Sequence, residues 1–199
     1  MSLYTIIPAK PFHQAKTRLA SDLSLPQRIQ LSRNLLVRTI SVAQQVGQVV
    51  VVSRDKMVRK IAKSHGAWAI VESGLELNPA IQQATDWVVA RNGQATLILP
   101  ADLPLLAPAD VAGLVNVQPA APAMVIAPCH RGSGTNALYL SPPGIIPFLF
   151  GPDSFQQHIE AARRAGLDPI VYRTDSLAFD LDLPEDLNQI GSVSRLNLA

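Results

Sequence analysis

Two acidic stretches and one basic loop hold the residues of this chain whose types and spacing could do chemistry. Leu97-Ile98-Leu99-Pro100-Ala101-Asp102-Leu103-Pro104 sets one carboxylate just past an apolar run and follows it with more leucine. An ionised Asp in such company is costly unless a cation, a metal or several donors meet it. Two readings stay open for it: a carboxylate capping the helix after Pro108, or a metal ligand. Phe179-Asp180-Leu181-Asp182-Leu183-Pro184 is the second acidic stretch. In extended chain, residues two apart share a face, so Asp180 and Asp182 would point one way and the leucines the other. Taken alone, the pair reads more readily as a solvated Asp180 and an Asp182 that caps the helix at Pro184 than as metal ligands. Like charges this near repel unless something cationic lies between them. With Asp102 they supply hard oxygen donors of the kind Mg²⁺ takes when phosphates complete its shell.

The basic loop, residues 8–19, carries Lys10, Lys16 and Arg18 and no acid. Cations so placed can neutralise a triphosphate through charge-assisted hydrogen bonds, although a solvated loop is the plain alternative. It holds no glycine and no GK[ST], so it is not a Walker loop, and no GxGxxG follows a strand anywhere. Nucleophilic machinery is also missing. Cys129 and His130 are adjacent, so on a strand they face opposite ways and read as structural. His13, His65 and His158 fall in different elements, with His158 expected on a helix surface; none is expected to be catalytic.

These residues need elements to hold them, and the chain alternates to supply them. Apolar residues 3–7 end at Pro8 as a strand. Ser24 and Pro26 open a helix closed by Gly47. Residues 49–52 are a β-branched run suited to a strand covered on both faces. Asp55 caps a helix ending at Gly66, residues 68–71 form a strand, and Asn78-Pro79 starts a helix reaching Asn92-Gly93. Residues 95–99 are the strand before Asp102. Further on, strands are expected at 124–127 and 136–140, a helix at 154–164, a strand at 170–173, extended chain at 177–182 and a short helix from Pro184. The proline-rich segment 118–122 reads as a loop. This alternation predicts an α/β fold, a single-domain three-layer α/β/α sandwich over residues 1–199 with a mostly parallel central sheet. Ligands of such sheets bind beyond the carboxyl ends of the strands, which is where the basic loop and Asp102 fall.

Composition narrows the classes. With 48% hydrophobic and 16% charged residues the chain is globular, and a net charge of +2 argues against bulk nucleic-acid binding. A lone cysteine, Cys129, excludes an intrachain disulfide. There is no signal-peptide pattern and no membrane-length apolar run, so a soluble cytoplasmic protein without membrane partners is the expectation.

Five motifs occur in the order of a known family: Ile7-Pro8-Ala9-Lys10 with Lys16-Thr17-Arg18-Leu19, Pro100-Ala101-Asp102-Leu103-Pro104, Gly132-Ser133-Gly134-Thr135-Asn136, Phe150-Gly151-Pro152-Asp153-Ser154-Phe155, and Asp180-Leu181-Asp182-Leu183-Pro184. Over essentially its whole length the chain resembles the 2-phospho-L-lactate or phosphoenolpyruvate guanylyltransferases of coenzyme F420 biosynthesis. These sit within the wider nucleotidyltransferases that include the molybdenum-cofactor guanylyltransferases, on a nucleotide-diphospho-sugar-transferase-like scaffold. The resemblance implies attack by the phosphate of a three-carbon phospho-acid on the α-phosphorus of GTP, releasing pyrophosphate. It also implies that two Mg²⁺ ions sit at Asp102, Asp180 and Asp182, and that Thr135, Gly151 and Ser154 take the acceptor's carboxylate. Lys16 and Arg18 are the expected catalytic cations and Lys10 a GTP contact. Asn78 is either a GTP contact or a helix cap, because the family's Gly-Leu-Asn is here Gly74-Leu75-Glu76-Leu77-Asn78. The product would pass to a downstream transferase of the F420 pathway, and a homodimer is allowed but not required. Two other readings stay open: a sugar-phosphate or molybdenum-cofactor type of nucleotidyltransferase (or an Asp-x-Asp glycosyltransferase) on the same scaffold, and a non-catalytic nucleotide-binding module.

Overall fold

A computed structural model describes residues 2–117 and 120–190. Its strands are β1 (Leu3–Pro8), β2 (Gln48–Ser53), β3 (Trp68–Val71), β4 (Ala95–Ile98), β5 (Ala123–Pro128), β6 (Thr135–Ser141) and β7 (Ile170–Val171). The helices are α1 (Leu25–Ala43), α2 (Lys56–Ser64), α3 (Leu77–Val89), α4 (Pro108–Asn116), α5 (Ser154–Arg164), α6 (Asp175–Ala178) and α7 (Pro184–Ile190). The strands form one seven-stranded sheet in the order β3-β2-β1-β4-β6-β5-β7. Strand β6 runs antiparallel to both its neighbours, β4 and β5, and the remaining pairings are parallel.

The three layers follow from residue alternation along the central strands. Ile7, Val49, Val51, Leu97 and Tyr139 face one core, beneath α1, α2 and α4. Ile6, Val50, Val52, Ile98 and Leu138 face the other, beneath α3 and α5. Both faces are covered, which is why these strands read as continuous apolar runs. A third, smaller cluster joins Leu19, Leu23, Leu31, Leu35, Phe179, Leu181 and Ile190. It ties the end of the basic loop to the Asp180–Asp182 stretch across most of the chain length. Among the described residues no helix is long and apolar enough to cross a membrane.

Several expectations need correction. Gly47 does not close α1, which ends at Ala43. Its lack of a side chain is instead needed because a Cβ there would come within 2.5 Å of the Leu3 carbonyl oxygen. Helix α3 begins at Leu77 with Glu76 in the cap position, leaving Asn78 inside the first turn. Strand β7 stops at Val171, short of Arg173. Residues 177–182 are not uniformly extended: Leu177 and Ala178 belong to α6, whose cap, Thr174, accepts a hydrogen bond from Leu177 N. The buried Asp110 carboxylate accepts from the hydroxyls of both Thr174 and Ser176, fixing that turn from 64 residues away. His158 is buried, not on a surface. Of the proline-rich segment, residues 118 and 119 lie outside the described residues.

The third cluster yields a stability prediction. Leu19 is fully buried, so Leu19→Ala should cost about 2–5 kcal/mol in a urea unfolding series, as truncation of a core leucine does. A loss under about 0.5 kcal/mol, the level of an ordinary surface change, would show that this cluster does not secure the basic loop.

Candidate active site

Leaving β1 at Pro8, the chain turns through two short 3-10 turns, Phe12–Gln14 and Thr17–Leu19. Between them Lys16 sits in the left-handed region, at φ 53°, a conformation a long side chain rarely adopts without constraint around it. The constraint is electrostatic. Lys16 Nζ lies 3.3 Å from Asp102 Oδ2 and 3.1 Å from Asp182 Oδ1, with its side chain only 8% exposed. Burial alone pushes the ammonium pKa down, but Asp102 and Asp182 together outweigh it, so Lys16 is held charged above its ordinary value.

Asp102 itself does not cap α4; Asp110 does, accepting from Ala107 N at 2.8 Å. The Asp102 backbone carbonyl accepts from Leu181 N at 3.0 Å, which staples the two acidic stretches together. Burial raises the Asp102 pKa, and Asp182 and Asp180 add to the rise against the opposing pull of Lys16. Its second oxygen, Oδ1, is buried with no hydrogen-bond partner. An unpaired buried carboxylate oxygen costs free energy, so Asp102 has a vacant coordination for one more cation or donor.

Asp180 and Asp182 take different partners. Asp180 Oδ1 lies 3.1 Å from His130 Nδ1, and Oδ2 lies 3.6 Å from Arg131 Nη1. The organising acid between them is Asp186. It accepts from Asp182 N at 2.8 Å, Leu183 N at 2.7 Å and Arg131 Nη2 at 2.7 Å. Burial would raise its pKa, yet the Leu183 and Asp182 amides with Arg131 hold it below the ordinary carboxylate value. Among the described residues no three His, Cys, Asp or Glu side chains form a ready-made metal cage; the cation now between Asp102 and Asp182 is the Lys16 ammonium.

A second cluster forms where β6 begins. Since β6 is reversed, its first residue, Thr135, lies at the carboxyl edge of the parallel strands, opposite Pro128. Ser154 Oγ donates to Thr135 Oγ1 at 3.2 Å, and Ser154 N donates to the Gly151 carbonyl at 3.3 Å. Gly151 has φ 142° and nothing within 4 Å of where a Cβ would stand. Its requirement is therefore conformational, not steric. His158 lies behind this group, 3.1 Å from Thr135 Oγ1 through Nδ1. Asn136 anchors the same strand end by donating to the carbonyls of Leu177 and Ala178.

The structure thus brings Lys16, Asp102, Asp182 and Asp180 to one edge, and Thr135, Gly151 and Ser154 into one hydrogen-bonded cluster on that edge. Lys10 and Arg18 are exposed on the basic loop and make no ion pair among the described residues. Asn78 caps nothing: its Nδ2 donates to the Phe150 carbonyl and its Oδ1 accepts from Phe150 N, so its amide holds the loop before Gly151. Beyond β1 and β2 an open cleft of about 320 Å³ is lined by Pro11, His13, Gln14, Arg54 and Asp55. Sequence reasoning missed Arg131, Asp186 and His158. Asp186, in the first turn of α7, carried a usable signal in the helix-start pattern after Pro184. Arg131 carried none, because Asp180 and Asp186 lie more than forty residues away, and the contact of His158 with Thr135 spans 23 residues.

The model of the family described as "Guanylyl transferase CofC like" matches residues 3–192. The chain is 41% identical over 192 residues to a phosphoenolpyruvate guanylyltransferase of Rubrobacter xylanophilus, covering 96% of this chain and 94% of that one. It is 38% identical to a 2-phospho-L-lactate guanylyltransferase of Methanothermobacter thermautotrophicus, covering 96% and 84% of the two chains. The fold is similar to that of a solved 4-diphosphocytidyl-2C-methyl-D-erythritol synthase, with a TM-score of 0.64 at 14% identity over 100% of this chain and 99% of that one.

Asp186 supplies the prediction from this geometry. Replacing it by Asn removes the charge that three donors meet, which should cost about 1.5–3 kcal/mol in urea unfolding at neutral pH. A depressed carboxylate stabilises the fold above its unfolded pKa, and that contribution is lost as pH falls through the lower native value. The gap between wild type and Asp186→Asn should therefore start to close as pH drops below about 3.8, the ordinary carboxylate value. A gap that stays constant on acidification would show that the charge is not what matters.

Proposed function

The chain belongs to the family of CofC-like guanylyl transferases, and we propose that it joins GMP from GTP to a phosphorylated three-carbon acid, phosphoenolpyruvate or 2-phospho-L-lactate, in coenzyme F420 biosynthesis. A phosphate oxygen of the acid forms a bond to the α-phosphorus of GTP, the bond from that phosphorus to the bridging oxygen breaks, and pyrophosphate leaves with the electron pair. The acceptor phosphate is already an anion able to attack, so catalysis reduces to positioning and charge neutralisation. This accords with a site built from carboxylates and cations.

The observation that carries the reading is the Lys16 ammonium seated between Asp102 Oδ2 and Asp182 Oδ1 while Asp102 Oδ1 stays buried and unpartnered. Oxygen donors with an unmet buried lone pair suit Mg²⁺. Asp102 and Asp182 would hold it, with Asp180 joining them from its pairing with His130 and Arg131. Bound there, Mg²⁺ would draw charge from the phosphates of both substrates. Lys16, held charged, and Arg18 meet the charge that builds on the triphosphate, with Lys10 beside them on the exposed loop. The cleft between the ends of β1 and β2 adjoins that loop and offers the nucleotide its room. Thr135, Gly151 and Ser154 take the acceptor's carboxylate, a group common to both acids.

Asp102→Asn should lower kcat about a hundredfold or more, the effect of losing several kcal/mol of metal-borne charge stabilisation, with an unfolding midpoint no lower than wild type. Full activity in that variant would end the metal assignment. Lys16→Ala should raise the KM for GTP, and Ser154→Ala the KM for the acid; exchanged effects would mean the two pockets are reversed. The assay is Mg²⁺-dependent pyrophosphate release from GTP with each acid in turn. Turnover with a sugar phosphate but with neither acid would overturn this function in favour of another nucleotidyltransferase.

A further inference from the structure

We propose that His158 is a positioning residue for the acceptor: locked as its Nδ1–H tautomer, it leaves Thr135 only one way to use its hydroxyl proton, as a donor to the acceptor's carboxylate. This rests on the reading of Thr135, Gly151 and Ser154 as the carboxylate pocket.

The lock follows from hydrogen-bond direction. Leu149 N donates to His158 Nε2 at 3.0 Å. A backbone N–H has no lone pair to offer, so Nε2 must be bare. The imidazole is fully buried, and that burial pulls its pKa down to about 4, so the ring is neutral near pH 7. A neutral ring with a bare Nε2 carries its one proton on Nδ1.

Thr135 inherits the consequence. Its Oγ1 lies 3.1 Å from the protonated His158 Nδ1, which cannot accept. Ser154 Oγ already donates to the same oxygen at 3.2 Å. Facing two donors, Thr135 has no acceptor for its own proton among the described residues. The first two amides of α5 are also spent, Ser154 N on the Gly151 carbonyl and Phe155 N on the Ser133 carbonyl at 3.0 Å. The Thr135 hydroxyl is therefore a donor prearranged for an anion, with no rotation to undo when the ligand arrives.

The lock is itself held from α3. Asn78 grips Phe150 by both backbone polar groups, at 2.9 and 3.0 Å, which sets the neighbouring Leu149 N–H. The Phe150 ring packs edge-on against His158, with centroids 4.9 Å apart. A helix on one side of the site thus sets a proton's direction on the other.

The direct test is a long-range ¹H–¹⁵N spectrum of the ligand-free full chain labelled at histidine. A pyrrole-type Nδ1 and a pyridine-type Nε2 for His158 are expected; the reverse pattern, or averaged tautomers, overturns the proposal. Kinetics supply the second test. His158→Leu should raise the KM for the phospho-acid about tenfold, the scale of one hydrogen bond to a charged group, while leaving the KM for GTP unchanged. His158→Asn, which keeps an N–H near the place of Nδ1, should recover most of that loss. Equal damage to both KM values with no rescue by Asn would show a merely structural histidine and overturn the proposal. Should His158→Leu fail to fold, the wild-type spectrum still decides. Thr135→Val separates the proposal from the reading beneath it. An unchanged acid KM with the Nδ1–H spectrum intact removes the pocket assignment, whereas a raised acid KM with a reversed tautomer removes only the lock.

Discussion

Four carboxylates share one end of this sheet, and their mutual repulsion is the constraint that everything near them answers. Asp102 and Asp182 are held by a single ammonium, Lys16. Asp180 and Asp186 share a single guanidinium, Arg131, at 3.6 and 2.7 Å. Each cation comes from a loop, so the loops cannot wander without exposing the acids to one another. Lys16 even accepts a left-handed backbone to make its contacts, a strain worth roughly 1–3 kcal/mol that only strong surroundings sustain. The third apolar cluster supplies those surroundings by packing Leu19 against Phe179 and Leu181. Hydrophobic packing, in other words, holds the charges at a spacing that electrostatics alone would not keep.

Much of this was legible in the chain as letters. The continuous apolar runs gave β1, β2 and β4 because a strand buried on both faces has no polar period to blur it. Helix α5 and strand β3 fell where capping and turn residues put them. What could not be read depended on partners far away. Gly47 looks like a helix stop, but the Leu3 carbonyl, 44 residues earlier, decides its role. Leu177 and Ala178 look extended until Asp110 bonds the hydroxyls around them. Asn78 looks like a cap until Phe150 claims its amide. His158, one of several polar residues on its helix, gave no hint that its face turns inward to Thr135.

The acids show the same divide. Asp102 read as evenly as a cap or a ligand, and Asp110 turned out to be the cap. The Asp-x-Asp spacing suggested two carboxylates aimed alike, whereas the chain sends Asp180 to His130 and Arg131 and Asp182 to Lys16. Spacing identifies which residues can meet; the identity of the counter-ion decides which do.

Strand β6 runs against its neighbours, and the reversal has a consequence for how such an enzyme could diversify. A parallel strand delivers its last residues to the ligand edge, but β6 delivers its first, straight out of the β5–β6 turn. Residues 128–135 and the start of α5 can therefore change length or side chain while β1 to β4, with the basic loop, keep their register. With the acid placed at Thr135, Gly151 and Ser154 as proposed, selection could retune its choice by editing one hairpin and one helix start, leaving β1 to β4 and the basic loop inherited intact.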